Sequence, residues 1–336
     1  MASQPRTKTA PQATNLQFGQ AINAATRQAM ELDPRVFVLG QSVFGKSGVF
    51  GTTTGLIEKF GPGRVLETPV SESAMTAIAA GAANAGLRPV MVHQRLDFMI
   101  YSMDQITNWI SLWRFKSAGQ STMPITIRAI VGKGWGQGPQ HAKSLHTWFA
   151  HLPGLQVVLP SSPTEAKGLL LASIFSDDPT IFIEGRSLYS AQEEVPDEPY
   201  FIQLGKAAIR RSGQHATVVS FGSMIPAVLQ AAGDLASEGI EIEVVDLRTV
   251  SPLDSDTVLH SVEKTRRLLV VEPGWEAFGV AAEVVARVCE QLGPDLKSPP
   301  RRVAWPNSHV PMSAPLEAAY YPTAAKIKES LRLVLQ

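Results

Sequence analysis

The run Ile125-Thr126-Ile127-Arg128-Ala129-Ile130-Val131 passes directly into Gly132-Lys133-Gly134-Trp135-Gly136-Gln137-Gly138-Pro139-Gln140-His141. The run is apolar or β-branched at nearly every position, as a strand buried on both faces requires. The glycines after it let backbone approach a ligand closely, and ligand loops in parallel sheets follow strand carboxyl ends. Similar runs recur on either side, at Val36-Phe37-Val38-Leu39, Pro89-Val90-Met91-Val92, Gln156-Val157-Val158-Leu159 and Thr180-Ile181-Phe182-Ile183. Amphipathic stretches separate them, near residues 18–32, 71–85, 103–117 and 163–175. Strands alternating with helices of this length imply a mainly parallel sheet covered on both faces.

After Ile183 the pattern stops. Residues 187–200 are acidic, hold two prolines and show no periodicity, the composition of an inter-domain linker. A second α/β series follows: strands at 217–221, 241–247 and 268–272, and helices at 226–238, at 280–291 and from Thr323. The expected organisation is a disordered tail over residues 1–14, a first domain over 15–190, a linker over 191–204 and a second domain over 205–336. The fold class is α/β in two domains, each a mainly parallel sheet flanked by helices.

Composition narrows the function. The 336 residues are 44% hydrophobic and carry 30 basic against 30 acidic side chains. A formal charge of zero offers no long-range attraction to nucleic acid or an anionic membrane. No apolar run approaches the ~20 residues of a membrane helix, and the polar start lacks the apolar core of a signal peptide. The expected location is therefore the cytoplasm. One cysteine, Cys289, excludes a disulfide framework and a Cys-based metal site within the chain. The glycines at 132, 134, 136 and 138 do not make G-x-G-x-x-G, and no G-x-x-x-x-G-K-[ST], H-E-x-x-H or G-x-S-x-G occurs.

Three segments offer chemistry. In Glu67-Thr68-Pro69-Val70-Ser71-Glu72-Ser73, Ser71 suits an N-cap and Glu72 the first helical position. Glu72 either complements the helix dipole, worth about 0.3–1 kcal/mol, or is a carboxyl that exchanges a proton. The helix behind it, with Ala77, Ala79, Ala80, Ala82 and Ala83 around Gly81, suggests an interior element. In the glycine segment, His141, His146 and His151 are five residues apart and do not share a helical face, which argues against a metal site. His141 is the best placed to act as acid, base or hydrogen-bond donor. In His93-Gln94-Arg95-Leu96-Asp97-Phe98, Phe98 is either core or a platform for a flat heterocycle.

These segments, in this order, resemble the β subunit of the E1 component of 2-oxo acid dehydrogenases, a thiamine diphosphate family within the transketolase-like group. Gly48-Val49-Phe50-Gly51, Glu67 through Ala85, Met103-Asp104-Gln105-Ile106, Gln140-His141 and Asp246-Leu247-Arg248-Thr249-Val250-Ser251-Pro252-Leu253-Asp254 extend the likeness over almost everything after Asn15. The resemblance implies that Glu72 hydrogen-bonds the cofactor's aminopyrimidine, that Leu96 and Phe98 hold that ring, and that His141 lines the substrate channel. His93, Arg95, Trp135 and Gln137 are expected near the same channel. Diphosphate and Mg2+ are implied to bind an α subunit through a Gly-Asp-Gly…Asn motif, and this chain contains no Gly-Asp-Gly. The implied assembly is α2β2, serving a lipoyl-bearing E2 protein, with a 2-oxo acid as substrate and the second domain mainly supporting assembly. A potassium ion on backbone carbonyls of Ser173, Ser176 and Asp178 is also implied, although Ser176 replaces an aspartate frequent in the family. Gln41-Ser42 stand where many members have acids, and His93-Gln94-Arg95, Trp135 and Gln137 are unusual. These departures point toward a substrate or acceptor other than pyruvate and lipoamide. The competing readings are acyl or ketol transfer to a carbonyl acceptor, as in acetoin-type enzymes or a split transketolase, and a non-catalytic assembly partner.

Overall fold

The computed structural model describes residues 12–45 and 47–336. In the first domain the strands are β1 (Ala13–Gln17), β2 (Val36–Gly40), β3 (Val65–Glu67), β4 (Arg88–His93), β5 (Thr126–Val131), β6 (Gln156–Val158), β7 (Thr180–Gly185) and β8 (Gln192–Pro196). They are followed by β9 (Ala208–Arg211), β10 (Ala216–Ser220), β11 (Ile242–Asp246), β12 (Thr249–Ser251), β13 (Leu268–Trp275) and β14 (Arg301–Trp305). The larger sheet has the order β12-β6-β7-β5-β4-β2-β3 and the smaller β14-β13-β10-β11-β9. All neighbours are parallel except β12 with β6 and β9 with β11.

Helices form where the periodicity places them. Helix Phe18–Leu32 buries Phe18, Ile22, Ala25 and Ala29 along one stripe, the i, i+4 spacing of a core-facing surface. The Gln20 side chain accepts the Gln17 N–H at 2.8 Å at its start, and Asp33-Pro34 ends it, since a residue before proline avoids helical backbone. Helix Pro163–Phe175 begins with Ser162 Oγ accepting the Glu165 N–H and with Pro163 in the first turn. The two helices pack on each other.

Four expectations need revision. Of the tail, residues 1–11 lie outside the described residues, while Ala13 and Thr14 are already in β1. The linker is not featureless: β8 pairs antiparallel with β1, from Ala13↔Pro196 to Gln17↔Gln192. A polar two-stranded ribbon leaves no alternation to read. The helix expected over 103–117 is broken into Met103–Gln105, a wide π-turn at Ile106–Ile110 and Trp113–Lys116. There the Thr107 hydroxyl donates to the Met103 carbonyl and Ser111 Oγ to the Thr107 carbonyl, competing with the helical ladder. Last, helix Glu72–Asn84 buries Thr76, Ala79, Ala80 and Ala83 but leaves Ala74, Ala77, Ile78 and Gly81 exposed. It is a surface element of this chain.

The domains share a core. One apolar cluster runs from Leu39, Ile127 and Ile183 to Val219, Val245 and Val270. Chain from the second half also completes the first sheet, since β12 adds to β6. Glu165, on helix Pro163–Phe175, accepts Arg210 Nη1 at 2.8 Å and lies 2.7 Å from Arg248 Nε, both from the second half. No described helix is long and apolar enough to cross a membrane.

Candidate active site

The residues singled out lie on loops at the carboxyl ends of neighbouring strands. Glu72 follows β3, Leu96 and Phe98 follow β4, and His141 follows β5. Those strands are contiguous in the order β5-β4-β2-β3. This is the crevice side of a parallel sheet, where backbone ends open onto ligand.

Glu72 opens its helix, half-buried, and its carboxylate makes no hydrogen bond or ion pair among the described residues. One turn on, Thr76 Oγ1 donates to Ser102 Oγ at 2.9 Å and lies 3.4 Å from His93 Nε2. Residues i and i+4 share a helix face, so Glu72 emerges on the side held against β4. The loop entering from β2 is fixed by Glu67, whose carboxylate accepts the N–H groups of Ser42 (2.5 Å) and Phe44 (3.1 Å). Val49 and Phe50, further along, adopt left-handed backbone at φ 41° and 56°. Such conformations cost non-glycine residues about 1–2 kcal/mol each, so this turn is held by its surroundings.

Leu96 is fully buried, whereas Phe98 remains 36% exposed. The Phe98 ring meets His141 edge-on, with centroids 5.5 Å apart at 84°. Between them Asp97 accepts the Lys143 backbone N–H (3.2 Å) and Nζ (3.0 Å), joining the two loops. His141 Nδ1 lies 3.2 Å from the Gln137 carbonyl. A carbonyl only accepts, so Nδ1 carries a proton and Nε2 is the ring nitrogen left free of this contact. The Gly132 N–H donates to the His141 carbonyl at 2.9 Å, closing the glycine loop. A Cβ on Gly132 would lie 2.2 Å from that oxygen, so only glycine fits.

Phe98 and His141 are therefore brought together, and Glu72 and Leu96 sit on adjoining loops. The four residues expected along a channel part company. His93 is 3% exposed, and burial pushes its pKa down to about 4, so it is a neutral core histidine. Its position at the end of a buried strand is what places it inside. Arg95 is buried and donates from Nε (3.0 Å) and Nη2 (2.9 Å) to Gln137 Oε1, so these two engage each other. Trp135 is 72% exposed and stacks on Arg186. Of the four, only Gln137, through its backbone carbonyl, meets His141 by a hydrogen bond or ring contact among the described residues.

Two of the carbonyls expected to cradle potassium accept protein donors: Ser173's accepts the Ser176 N–H, and Ser176's accepts Arg88 Nη1 at 2.8 Å. Among the described residues no three His, Cys, Asp or Glu side chains are grouped to hold a metal ion.

One residue escaped the sequence reading. Glu317, in helix Ala314–Tyr320 of the second domain, accepts the Gly134 N–H at 2.8 Å. Tyr321 OH reaches the same oxygen, and Lys133 Nζ lies 4.4 Å over the Tyr321 ring. Trp305, Tyr320 and Tyr321 pack edge-on around it. The second domain thus holds the glycine loop that carries His141. Alternating glycines needing outside support, together with the Tyr320-Tyr321 pair, were the available signal.

The sheet thus presents an acid, an aromatic and a histidine on adjacent carboxyl-end loops. Residues 14–192 match the family described as transketolase, pyrimidine binding domain, and residues 205–327 match transketolase, C-terminal domain. The chain is 42% identical to the acetoin:2,6-dichlorophenolindophenol oxidoreductase subunit beta of Cupriavidus necator, over 96% of this chain and 98% of that one. It is also 42% identical to the pyruvate dehydrogenase E1 component subunit beta of Bacillus subtilis, over 94% and 98%. A solved structure described as a split gene transketolase, inactive beta4 tetramer, shares the fold with a TM-score of 0.77 at 21% identity, over 95% and 98%. The chain belongs to the transketolase-like family that includes the β subunits of 2-oxo acid dehydrogenase E1 components.

Proposed function

We propose that this chain is the β subunit of a thiamine diphosphate-dependent 2-oxo acid dehydrogenase E1, active only with an α subunit. The observation that carries the reading is Glu72: an unpartnered carboxylate at the first turn of a helix whose outer face is small and exposed. A helix N-terminus favours the charged carboxylate. Work as a proton carrier near neutrality requires desolvation to oppose that pull, and a second chain seated on Ala74, Ala77 and Gly81 supplies it. Bound thiamine diphosphate would contribute the nucleophilic carbon and electron sink for decarboxylation. Glu72 would exchange a proton with the pyrimidine ring, Leu96 and Phe98 would hold that ring, and His141 Nε2 would serve proton transfer at the substrate. The partner would carry Mg2+ and the diphosphate groups on a Gly-Asp-Gly…Asn motif, in an α2β2 assembly acting in the cytoplasm.

The acyl group would pass to the lipoyl arm of an E2 protein. An acetoin-type substrate is the second reading, supported by equal identity to both kinds of relative. Purification of the tagged chain from its host should recover an α chain in equal amount. The pair should bind thiamine diphosphate with Mg2+ and decarboxylate a 2-oxo acid, and Glu72→Gln should abolish turnover while leaving assembly intact. Recovery of a homo-oligomer that binds no cofactor would overturn the reading in favour of a non-catalytic assembly partner.

A further inference from the structure

A cavity opens beside the turn that follows β7. It measures about 540 Å³ and is lined by Gln17, Gln20, Asn23, Phe50, Arg186 and Tyr189, among others. That volume falls in the range of small-molecule sites. No acidic residue lines it.

Arg186 is its distinctive feature. The guanidinium lies 5.1 Å from the Phe50 ring centroid, 4.6 Å from Trp135 and 4.7 Å from Tyr189. Its Nε is buried and meets no acceptor. Arg95 covers the Phe50 ring as well, at 4.8 Å, and is itself buried. The nearby carboxylates pair with other cations, although Asp97, whose Oδ2 meets no donor, also acts favourably on Arg95. Glu184 accepts Arg128 Nε at 2.6 Å and the Tyr189 hydroxyl at 2.5 Å, and Asp97 pairs with Lys143 at 3.0 Å. Arg95 and Arg186 therefore have no carboxylate within ion-pair distance among the described residues. Two guanidinium groups share one aromatic ring, and neither is ion-paired to a carboxylate among the described residues. Arg95 is met by Gln137 Oε1 and the Gln94 carbonyl, whereas the buried Arg186 Nε meets no acceptor; a partly desolvated cation left so is costly, and an anion lowers that cost.

We propose that this cavity binds a small organic anion, with its phosphate or carboxylate on the Arg186 guanidinium and its polar body against Gln17, Gln20 and Asn23. Three rings fix the guanidinium before the ligand arrives, so little side-chain entropy is lost on binding. The amino end of helix Phe18–Leu32 lines the same cavity and adds a favourable dipole. The site is distinct from the surface formed by Glu72, Phe98 and His141, and needs no thiamine cofactor.

Trp135 reports on it, because its ring lies on the guanidinium. The full chain, alone and with its partner subunit, is titrated with sodium phosphate and with sodium acetate, each against sodium chloride at matched ionic strength. Tryptophan fluorescence should change saturably, and Trp135→Phe should remove the change. Arg186→Gln should weaken binding about tenfold or more, as expected for loss of a charge-assisted contact, and Arg186→Lys by less. Response to phosphate alone assigns a phosphorylated ligand, and an equal response to acetate a carboxylate. A thermal melt of each variant establishes folding, with Gln20→Ala as a second lining variant. No saturable change with either anion, or an undiminished change in folded Arg186→Gln, overturns the proposal. Neither result bears on cofactor binding at Glu72.

Discussion

Replacing Glu317 by alanine should loosen the glycine loop while leaving both domains folded. The carboxylate accepts the Gly134 N–H at 2.8 Å and the Tyr321 hydroxyl at 3.4 Å, the second at the limit of a hydrogen bond. The first is charge-assisted, and such bonds contribute about 1.5–3 kcal/mol. Its loss acts on Gly132–His141, whose own internal ties among backbone groups are Gly132 N–H to His141 and the turn bonds of Gln137 and His141. Loop opening should therefore become easier by a similar energy, an increase of about tenfold to a hundredfold in the opening equilibrium. Hydrogen exchange with peptide-level mass spectrometry reads this directly. Peptides covering 132–145 should exchange faster by that factor, while peptides from β10 and β13, buried in the second domain, should be unchanged. Glu317→Gln, keeping an uncharged acceptor, should give a smaller rise. Exchange in 132–145 within about twofold of the native chain would refute the view that the second domain positions His141.

Gly132→Ala should destabilise the same loop, by about 1–3 kcal/mol, because the new methyl would fall 2.2 Å from the His141 carbonyl; a denaturant melt checks it. His93 supplies an acid-side test. Burial lowers its pKa from 6.5 to about 4, so the unfolded chain binds more protons between those values and stability is lost as pH falls through that window, by up to about 3 kcal/mol. His93→Asn should flatten this loss in melts between pH 7 and pH 4. Asp246 has the opposite sign. Burial raises it from 3.8 to about 6, so its destabilising contribution appears as pH rises through that window and persists above it, reaching about 3 kcal/mol. Asp246→Asn should therefore gain stability relative to the native chain above pH 6, with the gap closing toward pH 4.

How far the sequence could be read follows from how local each signal is. Helix Phe18–Leu32 carries its own apolar stripe and its own stop, Asp33-Pro34, so its bounds needed nothing else. Helix Pro163–Phe175 announces itself by Ser162-Pro163 in the same way. By contrast β1 and β8 are polar and pair across most of the first domain, as Thr14 with Val195. Strand β12 is three residues long and depends on a partner from the other half of the chain. No window of sequence contains either interaction.

The candidate site divides along the same line. Glu72, Phe98 and His141 were singled out because each stands on a segment that follows a strand, and their roles come from the resemblance rather than from local pattern. Arg95 and Gln137 were noticed as unusual, and what they do to each other lies in a hydrogen bond between separate loops. Arg186 drew no notice, since a lone arginine after a strand has no local signature; of its three rings only Tyr189 is close in sequence, while Phe50 and Trp135 come from other loops. The residues that differ from those frequent in the family, Arg95, Trp135 and Gln137, converge with Phe50 on that one guanidinium pair. Trp135 and Gln137 stand on the glycine loop, and Arg95 on the loop after β4. Held together, they form one arrangement, in which a change at Trp135 should be felt first at Arg186, and a change at Gln137 first at Arg95 and His141.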